Sequence, residues 1–301
     1  MPANAELNVL RQSTLMMGLA AVICTTFGIA AASQSILFDG IFSVVAVAIK
    51  FLMFITARLI AQESSPRFQF GFWHLEPIAL MTESGFLLLI AFYAMASGVI
   101  GMLSGGHTID FGLATVYAAT CTILEFWYFT YLRRRNAKIG SALIRYDTAS
   151  WLMDAILSAG LLISFTSAWL LTGTRWAHLT PYLDPFILIV VALTIVPSAI
   201  KMSIPAFKDI IQVVPFDLDE HIQAVMSAFV AEHALSGYTS YVQKSGRAYF
   251  IDIHVLVPPD MPLTDISQLD TLRYEVADRL GPDTPERWLT ITFTGDRFWA
   301  D

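Results

Sequence analysis

Charge is scarce in this chain, and unevenly so. Asp, Glu, Lys and Arg make up 14% of its 301 residues against 55% hydrophobic ones, and the deficit falls in roughly the first 200 positions. A soluble domain so composed would lack a polar surface, so the composition points to a polytopic membrane protein. Cysteine is scarcer still: Cys24 and Cys121 lie in separate apolar runs with no paired spacing, which excludes a disulfide framework and leaves two small packing residues. There is no Gly-Lys-Ser/Thr nucleotide loop, no Gly-x-Ser-x-Gly and no His–Glu zinc-protease helix. An enzyme is therefore not expected, no cofactor is called for, and any transport would draw on ion gradients. The net charge of −7 carries no nucleic-acid signature, since the basic residues are spent at membrane interfaces rather than on one patch.

What is present is a series of long apolar runs. Stretches able to cross about 30 Å of hydrocarbon occur near 12–32, 35–58, 77–102, 110–132, 146–170 and 183–203, predicting six transmembrane helices. The first reads as a retained helix, because no small-residue cleavage site follows it. Arg11, Arg58, Arg67, Arg133, Arg134, Arg135, Lys138, Arg145, Lys201 and Lys208 all fall on the side of the two termini, and Arg175 falls opposite. Basic flanks stay cytoplasmic, so both ends are expected in the cytoplasm. Trp169, Trp176 and Tyr182 mark one interface; Trp73, Trp127, Tyr128 and Tyr131 mark the other.

The composition changes near Pro205, and two domains are expected, 1–210 in the membrane and 211–301 outside it. DLDEHIQAVMSAFVAEH reads as a helix, YTSYVQKSG and AYFIDIHVLV as strands joined at Ser245-Gly246, TDISQLDTLRYEVADRL as a second helix and WLTITFTG as a last strand. This α–β–β–α–β unit is small, and one face of its sheet is free, so a covering second copy is expected.

Two acidic residues stand inside the apolar runs, Asp39 and Asp154, each with a serine four residues away, Ser43 and Ser150. That spacing puts each pair on one helix face. A carboxylate in a bilayer core is costly and tends to mark an ion path. An Asp near a helix start also serves as a cap, and serines bond the preceding turn, so the residues alone leave both readings open. Lys50 is either ion-paired with Glu83 or Glu125 within the bundle or part of a charged inner vestibule. Asp147 either receives ions at the cytoplasmic mouth or pairs with Arg145, and Asp184, before Pro185, reads as the cap of the sixth helix.

SQSILFDGIFSVV, FQFGFWHLEP, ALIRYDTASWLMDAIL, YLDPFILIVVAL and the tail segment SGYTSYVQKSGRAYFIDIHVLV together resemble the cation diffusion facilitator family of divalent metal transporters. The resemblance covers nearly the whole chain and rests on the order and spacing of these segments. It implies six transmembrane helices followed by a ferredoxin-like cytoplasmic domain, a homodimer, and a multi-pass location in a bacterial inner (plasma) membrane. It also implies a transported-metal site made by Asp39, Ser43, Ser150 and Asp154.

Zinc-carrying members of that family show Asp-x-x-x-Asp or His-x-x-x-Asp on the second helix and His-x-x-x-Asp on the fifth, whereas this chain has Asp-x-x-x-Ser and Ser-x-x-x-Asp. The remaining donors are all oxygen, which shifts the expected cargo from high-affinity zinc toward manganese, iron, magnesium or cobalt. Proton antiport is expected through Asp39 and Asp154, because two neighbouring carboxylates repel unless one holds a proton. The loop QESSPRFQFGFW lacks the His or Asp of an auxiliary site. In the tail His254 matches a family ligand, but Thr239 stands at its partner position and Asp296 follows without histidine. Besides metal export, two readings stay open: a transporter of a cation that is not a transition metal, and a membrane receptor or scaffold that kept the fold and lost transport.

Overall fold

A computed structural model describes residues 2–30, 34–62, 66–106, 111–262 and 265–300, with the side chains of 2, 3, 28, 30, 34–39, 41 and 111–113 outside the described set. The chain forms two compact units, one through Phe207 and one from Lys208 onward. The first consists of long helices: α1 (Pro2–Ala30), α2 (Gln34–Ile60), α3 (Leu75–Leu103), α4 (Phe111–Ile139), α5 (Ala142–Leu171) and α6 (Thr180–Ile210), which runs on past its end. Helices satisfy every backbone donor and acceptor within themselves, which lipid requires. Among the described residues five are long and apolar enough to cross a membrane. The helix outside that group is α4, whose last turns carry Arg133, Arg134, Arg135 and Lys138. Large apolar side chains such as Leu103, Ile123, Trp169 and Leu193 point outward, as a lipid-facing surface demands.

Helix α5, which carries two of the expected site residues, is set by a tight local device. Gly140 takes a left-handed backbone, φ 73°, which lets the chain reverse after α4. Ser141 then caps α5, its hydroxyl accepting from the Ile144 amide at 3.2 Å and donating to Glu6 of α1. One core cluster packs Leu10, Met53, Leu132, Ile144 and Trp151 from α1, α2, α4 and α5. Trp151 is fully buried, donates its indole N–H to Ser13 at 2.9 Å and packs its ring, tilted by 54°, 4.6 Å from that of Tyr128.

Helix α6 meets its neighbours where side chains are smallest. A Cβ on Gly98 of α3 would lie 2.8 Å from the Pro185 carbonyl, and one on Gly160 of α5 would lie 2.8 Å from Val191. Close approach of backbones at glycine is the usual packing device in membranes. The helix begins earlier than the sequence reading placed it. A short 3-10 turn, 177–179, leads into Thr180, and Pro181 fits the first turn, where no amide partner is needed. Asp184 is therefore inside α6 rather than capping it.

The second unit runs α7 (Phe216–Glu232), β1 (Gly237–Ser245), β2 (Ala248–Leu256), α8 (Ile266–Arg279) and β3 (Arg287–Thr294), the order expected from its alternating patterns. The sheet order is β1-β2-β3. β1 and β2 form an antiparallel hairpin closed at Ser245↔Ala248, with Gly246 at φ 62°, and β3 returns parallel to β2 after α8. Ile222, Met226 and Phe229 of α7 pack on Ile251, Ile253 and Val255 of β2 and on Val276 of α8. The other sheet face carries Tyr241, Phe250, His254 and Trp288, the Phe250 and Trp288 rings stacked 6.1 Å apart.

Candidate functional site

Asp147, Ser150 and Asp154 follow one another at three and four residues along α5, so they form one stripe of that helix. Ser43 and Lys50, seven apart, share a stripe of α2. The two stripes meet at Lys50. Its ammonium donates to Asp147 Oδ1 at 2.6 Å and to Ser150 Oγ at 3.4 Å, lies 3.6 Å from Glu83 Oε1 of α3, and sits 5.2 Å from the centre of the Trp151 ring. Asp154 is within electrostatic range of the same group, and Ser150 is within hydrogen-bonding reach of Glu83. Exposure is 1% for Lys50, 2% for Glu83 and 0% for Asp147. Burying charges is tolerable only when they are paired, which these three side chains achieve with one another.

Each expected site residue can now be placed. Ser150 is buried on α5, in contact with Lys50; Asp154 is half-buried one turn further along. Ser43 is half-buried on α2, about 10 Å by helix rise from the Lys50 backbone. Asp39 belongs to α2, and its side chain lies outside the described residues. Asp147 pairs with Lys50 and not with Arg145, because residues two apart on a helix face different sides; the Arg145 guanidinium lies instead 6.0 Å from the Tyr146 ring. For Lys50 the ion-paired reading holds through Glu83, and Asp147 is the nearer partner that sequence reasoning missed. The signal for it was present in the Asp147, Ser150, Asp154 spacing, a polar stripe on an otherwise apolar helix.

The cluster holds a hard-oxygen donor set from α3 and α5 around one positive charge from α2. Asp147 Oδ2 is buried and, among the described residues, accepts no hydrogen bond. Lys50 is also the one fully buried cation among the described residues of the chain, whereas Glu6, Glu76, Glu83 and Asp147 are buried carboxylates.

In the second unit His254 sits mid-strand, in register with Thr239 and Thr292, its Nε2 3.5 Å from Asp252 Oδ1. The described residues gather one further set of ligand atoms, Glu232, His233 and Glu275, within 4.8 Å of one another. Arg279 already occupies it, donating to Glu232 at 2.6 Å and to Glu275, while His233 Nε2 lies 3.2 Å from Glu275 Oε2. The Arg279 hydrogen bond and charge hold the Glu232 carboxyl below the ordinary carboxylate range.

Residues 10–211 match the family model described as the cation efflux transmembrane domain. The chain is similar to Protein p34 of Rickettsia rickettsii, 23% identical over 81% of this chain and 78% of that protein. It is similar to the cation-efflux pump FieF of Shigella boydii, 23% identical over 77% of this chain and 74% of the pump. The FieF pump of Escherichia coli K12 is 22% identical over the same shares. With its long apolar helices, the chain is an integral, multi-pass membrane protein.

Proposed function

The chain belongs to the cation efflux family, and from that premise we propose that it exports divalent metal cations from the cytoplasm as a secondary transporter driven by proton antiport. The cargo is held by Asp39, Ser43, Ser150 and Asp154. The observation that carries this reading is the polar stripe of α5, where Ser150 lies within reach of the buried Glu83 and shares Lys50 with Asp147, and Asp154 follows one turn further along, all within the matched region. An oxygen-only donor set suits manganese, iron, magnesium or cobalt and is a poor match for tight zinc binding, which favours nitrogen and sulfur. In this reading the chain crosses the inner membrane six times with both termini in the cytoplasm, as its basic flanks favour. The region 211–301 is a ferredoxin-like dimerisation domain, supported by the aromatic face of Tyr241, Phe250 and Trp288.

Uptake of Mn²⁺, Fe²⁺, Co²⁺, Mg²⁺ and Zn²⁺ into proteoliposomes, with internal pH recorded, tests it. Manganese or iron should outpace zinc, each should move protons the other way, and Asp39→Asn and Asp154→Asn should abolish both fluxes. Zinc as the fastest ion, or proton flux untouched by Asp39→Asn, refutes the respective part. One observation favours a second reading, a receptor or scaffold without transport: the Lys50 ammonium already lies against Ser150. No flux of any ion through folded protein would establish it.

A further inference from the structure

Glu83, Asp147 and Ser150 present three oxygens, from α3 and α5, to a single point, and the chain puts its own ammonium there. Two carboxylates share one lysine at a place with almost no exposure, where a charge is costly unless it is paired. The buried Asp147 Oδ2, without a hydrogen bond among the described residues, is a donor atom in the same cluster with nothing yet to hold. A divalent ion would match the two carboxylates in charge, as the lysine does not. Oxygen ligands sit about 2.0–2.6 Å from such an ion. Asp147 is thus close to ligand distance from the point now taken by Nζ, and Glu83 and Ser150 would move in by about 1 Å.

We propose that Glu83 and Asp147 form a second cation-binding site in the membrane unit, for an oxygen-seeking divalent ion, and that Lys50 is its tethered competitor. Lys50 then determines how many divalent ions the chain holds and how tightly. An ion enters this site only as the ammonium is withdrawn, and an ion at Ser150 meets a neighbouring positive charge until that happens. The site is distinct from the Asp39–Ser43–Ser150–Asp154 set in its two carboxylates and shares only the Ser150 hydroxyl with it.

Equilibrium Mn²⁺ binding to the purified full-length chain, read as free Mn²⁺ by electron paramagnetic resonance, tests this with Lys50→Met and Lys50→Gln. Each variant should bind one more Mn²⁺ per chain than the wild type, or bind it at least about tenfold tighter, because a repelling charge has been removed. Adding Glu83→Gln and Asp147→Asn to Lys50→Met should erase the gain. Unchanged stoichiometry and affinity in the folded variants overturns the proposal, and so does a gain that survives the loss of both carboxylates. If the vacated carboxylates unfold either variant, Mn²⁺ should restore its thermal transition; unfolding that Mn²⁺ does not reverse counts against the site. Binding is measured without transport, so the outcomes separate. A wild type that moves no ion refutes export and leaves this site standing, whereas an unaltered Lys50→Met refutes the site and leaves export standing.

Discussion

The Lys50 ammonium and the Asp147 carboxylate lie 2.6 Å apart across α2 and α5, joining residues 97 positions apart in the chain. Both are buried, so the pair ties α2 to α5 as well as being a feature of the unit's chemistry. Breaking it from one side leaves an uncompensated charge. Lys50→Met, which leaves Asp147 and Glu83 both buried without their cation, should cost roughly 3–5 kcal/mol, whereas Lys50→Met combined with Glu83→Gln and Asp147→Leu should come much closer to neutral. Thermal unfolding of the three proteins in detergent reads the difference.

Restoring the nitrogen and carboxylate donors that zinc carriers of the family use should redirect selectivity. Ser43→Asp with Ser150→His is expected to raise zinc uptake relative to manganese by at least about tenfold, because imidazole suits zinc better than a hydroxyl does. Parallel uptake assays in proteoliposomes check this. An unchanged ratio would place the cargo elsewhere.

The glycine contacts of α6 should tolerate no side chain. At Gly98 a Cβ would lie 2.7 Å from Ile189 and 2.8 Å from a backbone carbonyl, so Gly98→Ala must push α3 and α6 apart. Overpacking of this kind costs about 1–3 kcal/mol, and Gly98→Leu should cost more. Gly85, on the same helix with nothing near it, serves as the control: Gly85→Ala should leave stability almost unchanged or raise it slightly.

The link between α7 and α8 should weaken in acid. Glu232 has its carboxyl lowered by the hydrogen bond and charge of Arg279. The stabilisation is therefore fully present above the ordinary carboxylate range and lost as pH falls through the lowered value. Hydrogen exchange of α7 and α8 in the full chain should speed up over that interval, and Arg279→Met should remove the pH dependence while accelerating exchange at neutral pH.

The second unit was legible in the sequence because its elements alternate. HVLV, AYFIDI and the two amphipathic helices each declare one inner face, and a small sheet leaves few ways to combine them. The membrane helices declare much less. α2 and α5 are apolar on nearly all sides, since lipid and protein neighbours ask for the same residues, so no face signal tells Lys50 which acid it will meet. Glu83 is in view as a partner, while for Asp147 the sequence offers only a place at the cytoplasmic mouth or pairing with Arg145, which a helix turns away from it. The start of α6 was misplaced for a related reason. Pro181 and Pro185 both suit a helix opening, and the later one, preceded by an acid, looked the better signal. Ser150 and Asp154 draw notice in the sequence because polar residues one turn apart stand out in lipid; Ser150's engagement by a lysine from another helix cannot be read from spacing.

Trp151 has a mechanical consequence. Its indole is hydrogen-bonded to α1, packed at a tilt against Tyr128 of α4 and overlain by Lys50 of α2, one position away from Ser150. A tilt of α5 cannot leave those three helices behind, so they travel as one body. Helix α6 is held differently, by close approach at Gly98 and Gly160 and by an apolar cluster shared with α3 and α5. The Tyr146 hydroxyl also donates to the Met202 carbonyl at 2.6 Å, so any slide of α6 along α5 must first break that bond.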